Sequence, residues 1–91
     1  MTQLLLFKDS NCDLCKVMQQ QLMDNPPECN IAIMRARNNN DTLCEYYNIK
    51  EFPTAILIEV ENNTEITRWT GFVSTETINE TIKRYETEFM V

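Results

Sequence analysis

The sequence predicts an α/β domain with the element order β-α-β-α-β-β-α, a mixed four-stranded sheet covered by three helices. Three observations lead there. The apolar run Leu4-Leu5-Leu6-Phe7 stands just before a stretch whose apolar residues recur at helical spacing. An alternation at Cys29, Ile31 and Ile33 follows, so strand, helix and strand form one unit with parallel strands and a right-handed crossover. Further on, two β-rich segments flank Asn62-Asn63 as an antiparallel hairpin, and an amphipathic helix closes the chain.

Each element has its own signal. Gln3 to Lys8 reads as a buried strand, and Asp9-Ser10-Asn11 as a polar loop in which Ser10 or Asn11 caps the next helix. Leu14, Val17, Met18 and Leu22 mark the apolar face of that helix, with Lys16, Gln19 and Gln20 opposite, and Pro26-Pro27 ends it. Cys29 to Ile33 forms the second strand, with Asn30 and Ala32 on its other face. Asn38-Asn39-Asn40-Asp41 is a loop with a helix cap at its end. Thr42 to Tyr47 is a short helix stopped by Asn48 in a left-handed conformation. Thr54 to Glu61 and Glu65 to Trp69 are the hairpin strands, and Gly71 breaks the second. Ser74 caps the last helix, which carries Ile78, Ile82, Tyr85 and Phe89 on one face.

Ninety-one residues suit one domain over residues 1–91 with one modest core. The net charge of −6 argues against nucleic acid or an anionic membrane as partner. The absence of histidine removes imidazole acid–base chemistry and mixed Cys/His metal sites. No basic segment precedes the first apolar run, which is too short for a signal peptide or a membrane span. The expected location is therefore the cytoplasm, where cysteines are kept reduced and a Cys-x-x-Cys pair is catalytic or metal-binding.

Cys12-Asp13-Leu14-Cys15 sits between the first strand and the first helix. A helix N-terminus lowers the pKa of the first thiol, and the second lies one turn along, close enough to close a ring. The same motif also binds zinc, so the remaining cysteines matter. Their spacing, C-x2-C-x13-C-x14-C, lacks the second close pair of a zinc ribbon. Cys29 falls on an apolar alternation and Cys44 in a short helix, and both read as small buried hydrophobes. No metal site is expected. Met18, Met23 and Met34 read as core filling.

Over nearly its whole length the chain resembles the thioredoxin/glutaredoxin superfamily. Three marks carry the resemblance: Cys12-x-x-Cys15 after the first strand, Tyr47-Asn-Ile-Lys-Glu-Phe-Pro-Thr54 leading into the third strand, and Trp69-Thr-Gly71-Phe72 after the hairpin. The chain starts at the strand before the motif, so its layout is similar to the compact glutaredoxins. Asp13-Leu14 matches neither the Gly-Pro of typical thioredoxins nor the Pro-Tyr of typical glutaredoxins. Trp69-Thr-Gly-Phe72 is similar to the Trp-Ser-Gly-Phe stretch of glutaredoxin-like redoxins that serve ribonucleotide reductase, with Val73-Ser74 replacing their usual Arg-Pro. The Gly-Gly pair and the Asp of glutathione-binding members are absent.

The resemblance implies a thioredoxin fold and a small thiol–disulfide oxidoreductase that reduces protein disulfides without an organic cofactor. Cys12 would be the nucleophile and Cys15 the resolving thiol. Lys8 and Lys16 would favour the Cys12 thiolate, and Asp9 and Asp13 would oppose it. Pro53 would be the cis-proline beside the sulfurs, where composition alone reads an ordinary turn proline. Leu14, Phe52, Gly71 and Phe72 would form an apolar lip for substrate, although Phe72 could equally pack in the core, and Trp69 reads as a packing residue. The implied electron source is a thioredoxin-reductase-like flavoprotein acting on a monomer. The alternatives are a glutathione-dependent glutaredoxin and a thioredoxin-fold binding or metal-holding module without turnover.

Overall fold

The computed structural model describes residues 1–36 and 41–89, without the side chains of Asp41 and Phe89. The expected Asn38-to-Asn40 loop, the capping side chain of Asp41 and the place of Phe89 on the last helix face lie outside what is described. The elements are β1 (Thr2–Lys8), α1 (Asp13–Asp24), β2 (Asn30–Arg35), α2 (Asp41–Tyr46), β3 (Thr54–Glu59), β4 (Thr64–Thr70) and α3 (Thr75–Phe89). This is the order expected from the sequence.

The strands form one four-stranded sheet in the order β2-β1-β3-β4. β1 runs parallel to β2, with Gln3 opposite Asn30 and Lys8 opposite Arg35. β1 is antiparallel to β3 and β3 to β4, with a register irregularity between Leu57 and Ile58. The sheet is therefore mixed, and β1 and β3 are its inner strands. All six residues of β3 are buried, which is why Ala55-Ile-Leu-Ile58 carries no polar alternation.

Successive side chains point to opposite faces of a strand, so β1 feeds two cores. Leu4 and Leu6 join Met18, Leu22, Ala55, Leu57, Val73, Ile78 and Ile82 under α1 and α3. Leu5 and Phe7 join Ile56 and Ile58 on the other face, where Leu43, Cys44, Tyr47, Ile49 and Phe52 pack. The apolar face of α1 departs from expectation. Cys15, Met18 and Leu22 point inward, while Leu14 and Val17 are exposed. Cys15 begins the buried stripe, at i, i+3 and i+7, and turns Leu14 and Val17 to one side.

The chain punctuation is also visible. Asn48 has φ 58° after α2, and Asn63 has φ 50° in the hairpin turn, where its N–H donates to Val60 C=O at 3.3 Å. That turn ends β3 at Glu59, two residues before the expected Glu61. Ser74 Oγ accepts the Thr77 N–H at 3.2 Å, which is the expected cap of α3.

Candidate active site

The site is built at the end of the sheet where β1 finishes and β3 begins. Phe7 pairs with Thr54, and Thr54 pairs with Thr70, so one row of the sheet collects the three segments that leave it. From β1 the chain passes through Asp9-Ser10-Asn11 into α1. Asp9 orders this passage: its C=O accepts the Cys12 N–H at 3.2 Å, and its carboxylate accepts the Asn11 N–H at 3.2 Å. Cys12, rather than Ser10 or Asn11, is the N-cap of α1.

Cys12 and Cys15 are joined by a disulfide, with their Cα atoms 5.2 Å apart. Cys12 Sγ accepts the Cys15 N–H at 3.0 Å, so the sulfur satisfies one of the orphan donors of the helix start. The two sulfurs are unequal in access. Cys15 is 1 % exposed, whereas Cys12 is half-buried. A reagent arriving from solvent meets Cys12 first.

The second segment brings Phe52 and Pro53. Their peptide bond is cis, as the resemblance implies. Pro53 is fully buried, and Phe52 packs against the Leu5–Phe7 core beside Tyr47 and Ile49. The third segment brings Gly71, whose φ of 91° is a conformation that favours glycine. Its N–H donates to Pro53 C=O at 2.8 Å, which ties the third segment to the second. Phe72, next in the chain, is 47 % exposed, and Leu14 on α1 is 44 % exposed. Leu14 and Phe72 leave apolar surface in solvent, while Phe52 turns mostly into the core. Trp69 packs against the core under α1 and α3.

Charges around the pair are modest. Lys16 Nζ lies 3.9 Å from Asp13 Oδ1 across one turn of α1, both well exposed. Lys8 Nζ donates to Gln19 Oε1, so it is held along α1.

The polar brace behind the site was not legible in the sequence. Gln21 Oε1 accepts the Thr75 N–H at 2.6 Å, and Thr75 Oγ1 donates to Asn25 C=O at 2.6 Å. These bonds lock the start of α3, and with it the Gly71-to-Ser74 segment, against α1. A glutamine at the end of a run of three gives no sign of such a role.

Cys29 and Cys44 stand outside the disulfide. Cys29 packs against the core under α1 and α3, and Cys44 against the core on the opposite face. With the sheet between them, these two thiols do not converge with Cys12 and Cys15 on a single ion. Burial pushes the Cys29 thiol pKa up, against the opposing effect of a backbone hydrogen bond from Leu4.

A bonded cysteine pair at a helix start, set on a β2-β1-β3-β4 sheet, defines a thioredoxin-fold protein with a dithiol–disulfide centre. The chain belongs to the family of thioredoxin-like domains, whose family model matches residues 2–86. No curated protein matches it. Solved structures do. Thioredoxin-2 of the malaria parasite, a component of its protein secretion machinery, is 22 % identical with a TM-score of 0.78, over 92 % of this chain and 82 % of that one. Thioredoxin 1 of the thermophilic eubacterium Thermosipho africanus is 22 % identical with a TM-score of 0.71, over 93 % of this chain and 94 % of that one. A mutant thioredoxin from Halobacterium salinarum is 16 % identical with a TM-score of 0.77, over 92 % and 74 % of the two chains. At these identities the likeness establishes the fold.

Proposed function

We propose that the protein is a thiol–disulfide oxidoreductase that reduces disulfides in other proteins. One observation carries the reading: the two cysteines are bonded across the first turn of α1, and the more accessible Cys12 Sγ accepts the Cys15 N–H. That donor, together with the helix dipole, stabilises a thiolate once the bond is reduced.

The cycle uses only sulfur. The Cys12 thiolate attacks one sulfur of a substrate disulfide, forming a mixed disulfide and releasing the other sulfur as a thiol. Cys15 loses its proton and attacks Cys12 Sγ. The second substrate thiol leaves, and the Cys12–Cys15 bond is restored. Two electrons and two protons pass to the substrate in each cycle. Leu14 and Phe72 supply apolar contact to the substrate protein, Pro53 and Phe52 form the backbone ledge beside the sulfurs, and Gly71 leaves room for the partner's chain.

An external reductant must reopen the bond. Gly71 followed by Phe72 rather than a second glycine, and the carboxylates of Asp9 and Asp13 near the helix start, disfavour the anionic tripeptide glutathione. A cytoplasmic flavoprotein of the thioredoxin-reductase type fits better, with a reducing couple at about −270 mV.

The test is to supply insulin as substrate and compare two recycling systems: NADPH with thioredoxin reductase, and glutathione with glutathione reductase. Turnover with the first supports the proposal. Efficient turnover with the second, together with a glutathione adduct on Cys12, replaces it with a glutaredoxin. Turnover with neither leaves the binding-module reading.

A further inference from the structure

The segment from Gly71 to Ser74 joins β4 to α3 and is held at both ends. At its start, the Gly71 N–H donates to Pro53 C=O. At its end, buried Thr75 donates its N–H to Gln21 Oε1 and its hydroxyl to Asn25 C=O. Between these points Val73 is buried in the core under α1 and α3, and Phe72 is left exposed.

The hold on α1 continues into the first two turns of α3. Asn25 Nδ2 donates to Glu76 Oε2 at 2.9 Å, and the Glu28 N–H donates to Asn79 Oδ1 at 2.8 Å. Those two bonds are exposed and compete with water. The Gln21 bond is partly buried and starts from inside α1.

Packing alone does not call for an amide at Gln21. Its Nε2 is buried and donates to no group among the described residues. An unpaired buried donor costs stability, and an aliphatic side chain would fill the same place without that cost. What the amide supplies is an acceptor for the Thr75 N–H, one of the orphan donors at the start of α3.

We propose, on the redox reading above, that Gln21 acting through Thr75 is a positioning residue for the substrate protein. It fixes the Phe72 segment against α1, the helix that carries the dithiol, so that a partner does not have to order this segment as it binds. The thiol chemistry is set elsewhere. Gln21 lies six residues beyond Cys15, about 9 Å along the helix axis, and the Cys15 N–H that Cys12 Sγ accepts belongs to the first turn. Losing the Gln21 bond therefore leaves the dithiol ring in place and loosens Phe72. Ordering a loosened segment is a cost of binding a large substrate. A disulfide too small to reach Phe72 does not incur it.

Single-turnover kinetics test this. Reduced protein is mixed with excess insulin or with neutral hydroxyethyl disulfide, and formation of the Cys12–Cys15 bond is followed by acid quench and mass spectrometry. Gln21→Leu should lower the second-order rate constant for insulin roughly tenfold. Its rate with hydroxyethyl disulfide and its dithiol reduction potential should stay at the parent values, the rate within about twofold. Thr75→Val breaks the other bond of the same pair and should show the same split, which keeps the test open if Gln21→Leu does not fold. Gln21→Glu keeps an oxygen for the Thr75 N–H and should restore the insulin rate. A folded Gln21→Leu protein that reduces insulin at the parent rate overturns the proposal. So does an equal loss with both disulfides, which marks a merely structural role, or a Gln21→Glu protein as slow as Gln21→Leu. A parent that oxidises with neither disulfide overturns the redox reading itself, and a parent that reacts only with hydroxyethyl disulfide overturns the assignment of protein substrates.

Discussion

Cys12 and Cys15 close a ring across the first turn of α1, whereas Cys29 and Cys44 lie half-buried on opposite faces of the sheet. The residue type is the same, and position divides the roles. At the helix start, backbone donors favour the thiolate, and Cys12 faces solvent. Among aliphatic neighbours the thiol is a small hydrophobe, and burial holds Cys29 in its protonated form. One pair is suited to exchange electrons with a partner, and the other two thiols are suited to fill space.

The sharpest way to break this division is to remove thiols one at a time. Cys12→Ser should reduce insulin turnover to the uncatalysed rate, since no other thiolate is placed to start the exchange. Cys29→Ser and Cys44→Ser should leave turnover unchanged within about twofold, apart from any loss of folded protein. Loss of activity in either of the latter, with the fold intact by near-ultraviolet circular dichroism, would erase the distinction.

Next in size is the scaffold that holds the pair. Gly71 sits at φ 91°, and a Cβ there would meet no atom within 4 Å. Gly71→Ala should therefore cost stability through backbone strain alone, about 1–2 kcal/mol in a denaturant titration. A variant as stable as the parent would show that the Gly71–Pro53 tie relaxes without cost.

Cys29→Ala probes the packing side of the comparison and should lower stability by about 1 kcal/mol. The same site should also respond to pH. Its folded pKa is raised, so its contribution is complete below the ordinary thiol pKa and declines as pH rises through the raised value. Iodoacetamide at neutral pH should modify Cys12 of the reduced protein well before Cys29. The reverse order would place the reactive thiol on the wrong side of the division.

The smallest effect lies on the acid side. Glu59 is held below the ordinary carboxylate range by its hydrogen bond from the N-terminal ammonium, and Glu65 by its hydrogen bonds from Arg68. Their stabilisation is complete above the ordinary carboxylate pKa and fades as pH falls through the lowered folded values. Melting temperatures should fall there in the parent and less steeply in Glu59→Gln.

Much of this architecture was legible in residue patterns. Leu4 to Phe7, the alternation at Ile31 and Ile33, and the Asn62-Asn63 turn mark β1, β2 and the hairpin because burial and turn chemistry act locally. The disulfide and the cis bond before Pro53 were implied by the family resemblance, not by local pattern, which reads Pro53 as an ordinary turn proline. What stayed hidden depends on tertiary neighbours. Val17 has the spacing of a core residue and is exposed, because Cys15 starts the buried stripe. Phe52 was expected on the lip and packs instead beside Phe7 and Tyr47. Gln21 holds α3 against α1 through a bond that no local pattern encodes. Lys8 is committed to Gln19, so its charge is fixed along α1.

In the proposed cycle Cys12 opens a substrate disulfide and Cys15 releases the product. Reduced Cys15→Ser protein mixed with insulin, quenched with acid and mapped by mass spectrometry, tests it most directly. An insulin chain bonded to Cys12 is expected, and no such adduct when Cys12 is replaced as well. An adduct on Cys29 or Cys44, or none at all in a folded Cys15→Ser protein, would contradict it.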